Sequence, residues 1–184
     1  MKIILIGIQG SGKSTQGNLL SESLHIPYLS TGHIFREMAK EKSPMGRYIK
    51  EIINAGSLVS DSLTLDVVSK YLEREEYKNG YILDGFPRTL AQAEQFSNGI
   101  NHVMYLKVSD REALWRLSYR EEEEQSGPDI REDETLSAIR KRIELFHTVT
   151  EPVLDFYRKK EILVEINGEQ SIEKIHEEIL EKLQ

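Results

Sequence analysis

Short runs of apolar residues alternate along this chain with longer stretches patterned as helices. The runs Lys2–Ile6, Pro27–Leu29, Tyr81–Leu83, His102–Lys107 and Ile162–Ile166 are rich in Ile, Val, Leu or Tyr and have the length of strands. Between them the helical patterns have readable ends. Asp110 is expected to cap a helix running through Arg120, and Ser171 to cap the last helix, with Glu173 placing negative charge in its first turn. Gly56 ends a helix that begins near Pro44, because glycine takes the left-handed turn that a helix end needs. Residues 132–158 read as one long helix with Pro152 as a break or kink near its end. Strands separated by helices predict parallel pairing, hence a doubly wound α/β sheet. Two segments interrupt the rhythm and read as insertions: residues 30–60, two helices with no strand between them, and a charged loop at 121–131.

Composition changes the picture in three ways. A length of 184 residues bounds the chain to one compact domain. The balance of 31 acidic against 24 basic side chains, a net charge of −7, argues against a general nucleic-acid binder, which needs a basic face to displace counterions. The absence of cysteine excludes a disulfide framework, a thiol nucleophile and cysteine-ligated zinc. The apolar run after Met1-Lys2 stops at Gln9 without a cleavage-like site, and no apolar run reaches about 18 residues, so neither a signal peptide nor a membrane span is expected. The chain reads as cytoplasmic.

Directly after the first strand stands Gly7-Ile8-Gln9-Gly10-Ser11-Gly12-Lys13-Ser14, a complete G-x-x-x-x-G-K-S phosphate loop. Its glycines let the backbone wrap close enough for successive N–H groups to face phosphate oxygens, and the following helix adds its positive end. Lys13 is placed to reach the β- and γ-phosphates, and the Ser14 hydroxyl to ligate Mg²⁺. The run Tyr81-Ile82-Leu83-Asp84 is an apolar strand ending in a carboxylate. In a parallel sheet the carboxyl ends of strands face the ligand crevice, so Asp84 is expected beside Mg²⁺, directly or through water. The competing reading makes it only the start of a turn at Gly85.

The arginines narrow the reaction. Arg36 follows Ser30-Thr31-Gly32, Arg88 follows Gly85-Phe86-Pro87, Arg116 and Arg120 lie four apart on one helix, and Arg131 and Arg142 flank the start of the long helix. Any one of them fits a solvated helix face. Together they suggest a cage for many phosphate charges, with forks suited to phosphate oxygens. A nucleoside triphosphate plus a second phosphorylated substrate needs that much positive charge.

With these residues in place the chain resembles the adenylate kinase family of nucleoside monophosphate kinases, from Lys2 to about Leu180. The matching pieces are Gly7 to Gln16, Ser30-Thr31-Gly32-His33-Ile34-Phe35-Arg36, Gly56-Ser57-Leu58-Val59-Ser60-Asp61, and Asp84-Gly85-Phe86-Pro87-Arg88-Thr89-Leu90-Ala91-Gln92-Ala93-Glu94, followed by Arg140-Lys141-Arg142 and Thr150-Glu151-Pro152. The resemblance implies a P-loop NTPase-type, doubly wound five-stranded parallel sheet. Its core covers residues 1–29, 60–120 and 132–184, with a helical monophosphate-binding insertion at 30–59 and a short lid at 121–131. It assigns the ATP phosphates to Gly10, Ser11, Gly12, Lys13, Ser14 and Thr15, with Arg116 against adenine, Arg120 nearby and Gln170 touching the base. It assigns AMP to Thr31, Arg36, Ser57, Leu58, Val59, Gly85, Arg88 and Gln92. Lys13, Arg88, Arg120, Arg131 and Arg142 are implied to be catalytic, the last two shared with the AMP site, and Mg²⁺ to lie near Ser14 and Asp84 without a structural zinc. The implied substrates are ATP and AMP, with ADP in reverse, handled by a monomer with no nucleic-acid or membrane partner.

The acceptor base is argued further from Gln92, whose amide both donates to and accepts from an adenine edge. Pyrimidine-specific relatives carry asparagine where this chain has Thr89 and alanine where it has Thr31, and both positions favour AMP. Four residues depart from the family pattern: Gln9 and Ser60 each replace a proline, Ser14 stands where many members have glycine, and His33 replaces an aspartate. A histidine at 33 either weakens water-mediated ordering of Mg²⁺ and adds pH sensitivity, or merely caps a helix. The competing functions are a kinase for CMP or UMP, a catalytically weak nucleotide-dependent binding protein, and an NTPase acting on water.

Overall fold

The computed structural model describes residues 1–96, 99–124 and 135–183, with 120–124 described by backbone alone. Five parallel strands, β1 (Lys2–Ile6), β2 (Tyr28–Ser30), β3 (Tyr81–Asp84), β4 (His102–Lys107) and β5 (Leu163–Asn167), form one sheet in the order β2-β3-β1-β4-β5. The helices are α1 (Lys13–Leu24), α2 (Thr31–Lys40), α3 (Pro44–Asn54), α4 (Asp61–Leu72), α5 (Leu90–Gln95), α6 (Asp110–Glu124), α7 (Leu136–Leu145), α8 (Glu151–Lys159) and α9 (Ile172–Lys182). The doubly wound α/β expectation holds, and β2 and β5 each lie one residue further along the chain than the apolar runs suggest.

The unbroken apolar run of β1 follows from burial on both faces, the mark of a parallel sheet covered by helices on each side. Ile4 and Ile6 turn into a core shared with Leu83, Val103, Ile34, Val68 and Val153. Ile3 and Leu5 turn the other way, onto Ile82, Met104 and Leu106, with Leu20 of α1 and Ile175 and Ile179 of α9. Residues two apart thus share a core, and adjacent residues enter different ones. Because β1 sits between β3 and β4 while β2 lies beyond β3, the chain reverses direction across the sheet at the carboxyl end of β1. Ligand crevices open at such a switch point, and residues 7–12 lie there.

Several helix ends differ from the sequence reading. Ser109 rather than Asp110 caps α6: its hydroxyl accepts from the Glu112 N–H at 3.3 Å, and its own N–H is held by Glu169 Oε1 at 2.8 Å. That helix runs beyond Arg120 to Glu124, so 121–124 are helical rather than part of a loop. The remainder of the 121–131 segment and residues 132–134 lie outside the described residues, but the helix expected from 132 does not include Thr135, which caps it instead, its Oγ1 accepting from the Ala138 N–H at 3.2 Å. From Leu136 the helix continues through a widened π-type turn at Phe146–Thr150 into α8. The irregularity therefore precedes Pro152, which has no N–H to continue the ladder. The Thr148 hydroxyl bonds back to the Glu144 carbonyl at 2.8 Å within the same turn. The helical pair expected at 30–60 is present, and Ser171 caps α9 as anticipated, accepting from the Lys174 N–H. Gly56, at φ +69°, follows α3. Among the described residues no helix is long and apolar enough to cross a membrane.

Candidate active site

The phosphate loop leaves β1 and enters α1 through glycines that no other residue replaces without strain. Gly10 has φ +86°, and a Cβ there would stand 2.7 Å from the Ala113 carbonyl oxygen. At Gly12 the helix begins with no side-chain cap. A helix N-terminus directs backbone N–H groups toward the loop, and the positive end of its dipole favours an anion. Lys13 folds back over its own loop, its Nζ donating to the carbonyls of Gly7 and Ile8 at 2.8 Å each and to Ser11 Oγ at 3.3 Å.

Asp84 ends β3 one strand away, in register with Leu5 of β1. Its carboxylate is buried. Oδ2 accepts from the Tyr28 hydroxyl at 2.7 Å, while buried Oδ1 has no hydrogen-bond partner. Burial, reinforced by the Asp84 charge, pushes the Tyr28 phenol well above its ordinary value, so it remains a donor. A lone buried carboxylate oxygen, with Ser14 on the wall of the same cavity, suits Mg²⁺. That ion dehydrates reluctantly and is held by one or two protein oxygens plus phosphates. Among the described residues no group of three or more His, Asp or Glu side chains is placed to hold a metal ion.

One cavity of about 400 Å³ joins this phosphate side to a second, arginine-rich side. It is lined by Gly10, Gly12, Lys13, Ser14, Thr15, Asp84 and Arg116, and also by Thr31, Arg36, Ser57, Leu58, Val59, Gly85, Arg88, Gln92 and Arg142. Most of the site residues singled out in the sequence therefore meet in one place. Ser11 is fully buried within the loop and does not line the cavity, nor does Gln170, whose amide donates to the Asn167 carbonyl at 3.2 Å and to Glu178 Oε2 at 2.6 Å. The Arg120 side chain and all of Arg131 lie outside the described residues. His33 is exposed, lines no part of the cavity, and is not the cap of α2: Ser30 Oγ accepts from the His33 N–H at 3.4 Å.

The arginine side is preorganised for charge. Arg88 Nε donates to the Gly85 carbonyl at 2.8 Å, and the Arg88 carbonyl accepts from Thr150 Oγ1 at 2.9 Å. Burial lowers the guanidinium pKa of Arg88, the Asp84 carboxylate opposes that shift, and Arg142 and Arg36 add repulsion. Arg88, with Arg142 and Arg36 near enough to repel it, forms with them a cavity wall that a multiply charged anion stabilises. Arg142 is steered by the Ile53 carbonyl at 2.8 Å and by Gln9 Oε1 at 3.3 Å. Arg116 pairs with Glu112, four residues back on α6, at 2.8 Å.

Gln92 is 2% exposed rather than a surface helix residue. Its Oε1 accepts from the Arg88 N–H at 2.7 Å and its Nε2 donates to Asp61 Oδ1 at 2.8 Å. Asp61, Tyr28 and Thr150 also join the hydrogen bonds around the cavity, and the sequence does not mark them as working residues. Asp61 and Thr150 lie inside matched motifs, but no spacing rule marks an aspartate at the start of α4 as a partner of α5. Nothing in the sequence around Tyr28 signals its bond to Asp84.

The family model described as "Adenylate kinase" matches residues 5–162. The chain is 34% identical to a protein named "Adenylate kinase" from Caldicellulosiruptor bescii, over 100% of this chain and 99% of that one. It is 37% identical to an "Adenylate kinase" from Treponema denticola, over 95% of each. It is also 37% identical to "Adenylate kinase 1" from Nostoc sp., over 97% of this chain and 96% of that protein.

Proposed function

The chain belongs to the adenylate kinase family and is an ATP:AMP phosphotransferase, and from that premise we propose how its residues carry out ATP + AMP ⇌ 2 ADP. The observation that carries the reading is the single cavity shared by the phosphate loop and the arginines of α2, α7 and the loop after β3. ATP phosphates lie along Gly10 to Thr15 at the start of α1. Lys13 exchanges the carbonyls of Gly7 and Ile8 for the β- and γ-phosphates. Arg36 and Arg88 take the AMP phosphate, Thr31, Ser57 to Val59 and Gly85 enclose the nucleotide, and Gln92 reads its base. Arg116 lies against the ATP adenine with Gln170 close to it, and Arg120, Arg131 and Arg142 surround the group in transfer.

In the reaction an oxygen of the AMP phosphate bonds to the γ-phosphorus as the bond to the β–γ bridging oxygen breaks, leaving ADP on both sides. The attacking phosphate is largely ionised at neutral pH, its second pKa being about 6, so no general base is needed. The protein's contribution is positioning and stabilisation of spread negative charge. Mg²⁺, when bound, would neutralise phosphate charge, and Ser14 and Asp84 are the residues that would hold it, directly or through water. Closure of residues 30–59 and 121–131 over the substrates excludes water as a rival acceptor. We read the enzyme as a cytoplasmic monomer, because both substrate sites belong to one chain and no step calls on a nucleic acid or membrane.

The test is ³¹P NMR of the protein with Mg²⁺ and ATP, adding AMP, CMP, UMP and GMP in turn. ADP formed fast with AMP alone, approaching the same equilibrium from either side, supports the assignment. Tight ATP binding without transfer to any acceptor, or hydrolysis without AMP, overturns it.

A further inference from the structure

Asp61 opens α4, outside the residues assigned above to either substrate, yet its carboxylate gathers the acceptor side of the cavity. Oδ1 accepts from Thr89 Oγ1 at 3.0 Å and from Gln92 Nε2 at 2.8 Å. Thr89 Oγ1 in turn accepts from the Gln92 N–H at 3.1 Å, capping α5. At the other end of the same amide, Gln92 Oε1 accepts from the Arg88 N–H at 2.7 Å. A backbone N–H needs an acceptor and a carboxylate needs a donor, so the amide has one orientation. Turning it by half a circle would set Nε2 against an N–H and Oε1 against a carboxylate.

That orientation matters for what the amide can read. An adenine edge offers an N6–H donor beside the N1 acceptor. A 6-oxopurine edge offers the reverse, an O6 acceptor beside an N1–H donor. A freely turning amide pairs with either; a locked one presents its remaining lone pair and N–H in a single order. We propose that Asp61 is a positioning residue for specificity, holding the Gln92 amide in the order that accepts adenine and rejects a 6-oxopurine. The proposal rests on the reading that Gln92 faces the acceptor base. Rejection is strong when a site is built this way, because the wrong base leaves buried polar groups unpaired.

The test compares kcat/KM for AMP with that for inosine monophosphate, whose base is a 6-oxopurine, with saturating Mg²⁺ and ATP. Asp61→Ala is expected to lower the AMP-to-inosine-monophosphate ratio by about tenfold or more, the worth of a hydrogen bond to a charged group. Asp61→Asn keeps an oxygen acceptor toward Gln92 and retains the ratio. A general loosening of α4 would weaken both substrates alike and leave the ratio unmoved, so an unchanged ratio in folded Asp61→Ala overturns the proposal. Should that variant not fold, Asp61→Ser carries the same test, being polar at the helix start but one bond too short to reach Gln92. Gln92→Leu separates the two readings. If it leaves the KM for AMP unchanged, Gln92 does not face the base; if it impairs AMP while Asp61→Ala keeps the ratio, only the lock fails.

Discussion

The hydroxyl of Tyr28 donates to Asp84 Oδ2 at 2.7 Å, so a phenol on the outermost strand orients the carboxylate that ends its neighbour and leaves Oδ1 without a partner. Tyr28→Phe removes the donor from a buried carboxylate, at an expected cost of about 1–3 kcal/mol in urea unfolding at neutral pH. The same variant should need more Mg²⁺ to reach half its maximal rate, because Asp84 is free to turn. Chelating the metal with EDTA should stop transfer in wild type and variant alike, and a Mg²⁺ titration of rate checks both points.

Lys13 and Arg88 should fail differently. Lys13→Ala withdraws a positive charge from the phosphates in transfer and is expected to lower kcat by about 10²–10³-fold, with little change in the KM for AMP. Arg88→Ala should chiefly raise the KM for AMP, since its guanidinium lies near Arg36 in the arginine-rich part of the cavity, where we propose that the AMP phosphate binds. Steady-state kinetics with each substrate varied in turn distinguishes the two patterns, with thermal melting to confirm that both variants are folded.

His147 stands in the π-type turn with Nδ1 2.7 Å from Glu151 Oε1 and Nε2 2.9 Å from Asp110 Oδ1. Only the imidazolium donates from both nitrogens. Glu151 and then Asp110 raise its pKa above the ordinary 6.5. A pKa raised by folding contributes stability that is complete below the unfolded value and lost as pH climbs through the folded one. The stability difference between wild type and His147→Ala should therefore be larger at about pH 5.5 than at about pH 8.5. The side chain is 41% exposed, so solvent screening holds the difference within about 1 kcal/mol. Urea unfolding at the two pH values measures it.

Gly56 packs its α-carbon against α7 as well as ending the helical pair. Its φ is +69°, and a Cβ would lie 2.5 Å from the Ala138 carbonyl oxygen. Gly56→Ala meets both a strained backbone and a backbone atom that cannot swing aside, so it should cost about 1–3 kcal/mol in thermal unfolding. Because Arg142 of α7 bonds the Ile53 carbonyl just before Gly56, the KM for AMP should rise as well.

What the sequence by itself determined were the features written in consecutive residues. The run Ile3 to Ile6 has to be buried on both faces, and glycines at 7, 10 and 12 ahead of Lys13-Ser14 shape a phosphate loop whatever surrounds them. The motifs at Ser30 to Arg36 and Asp84 to Glu94 carried the family and most of the residues that line the cavity. Backbone geometry over a few neighbours sets these, so a linear string displays them. The pairings that aim the side chains were decided only in three dimensions. Tyr28 meets Asp84 because β2 lies beside β3, and Arg142 meets Gln9, 133 positions away, because α7 passes over the loop after β1. Gln92 meets Asp61 across 31 residues, which changes the amide we assign to base reading from a free rotor into a held one. Even the helix irregularity was displaced from Pro152 to the turn before it, where the missing N–H is felt. Partners far apart in sequence are chosen by strand order and by the requirement that buried polar groups find one another, and neither is written in local spacing.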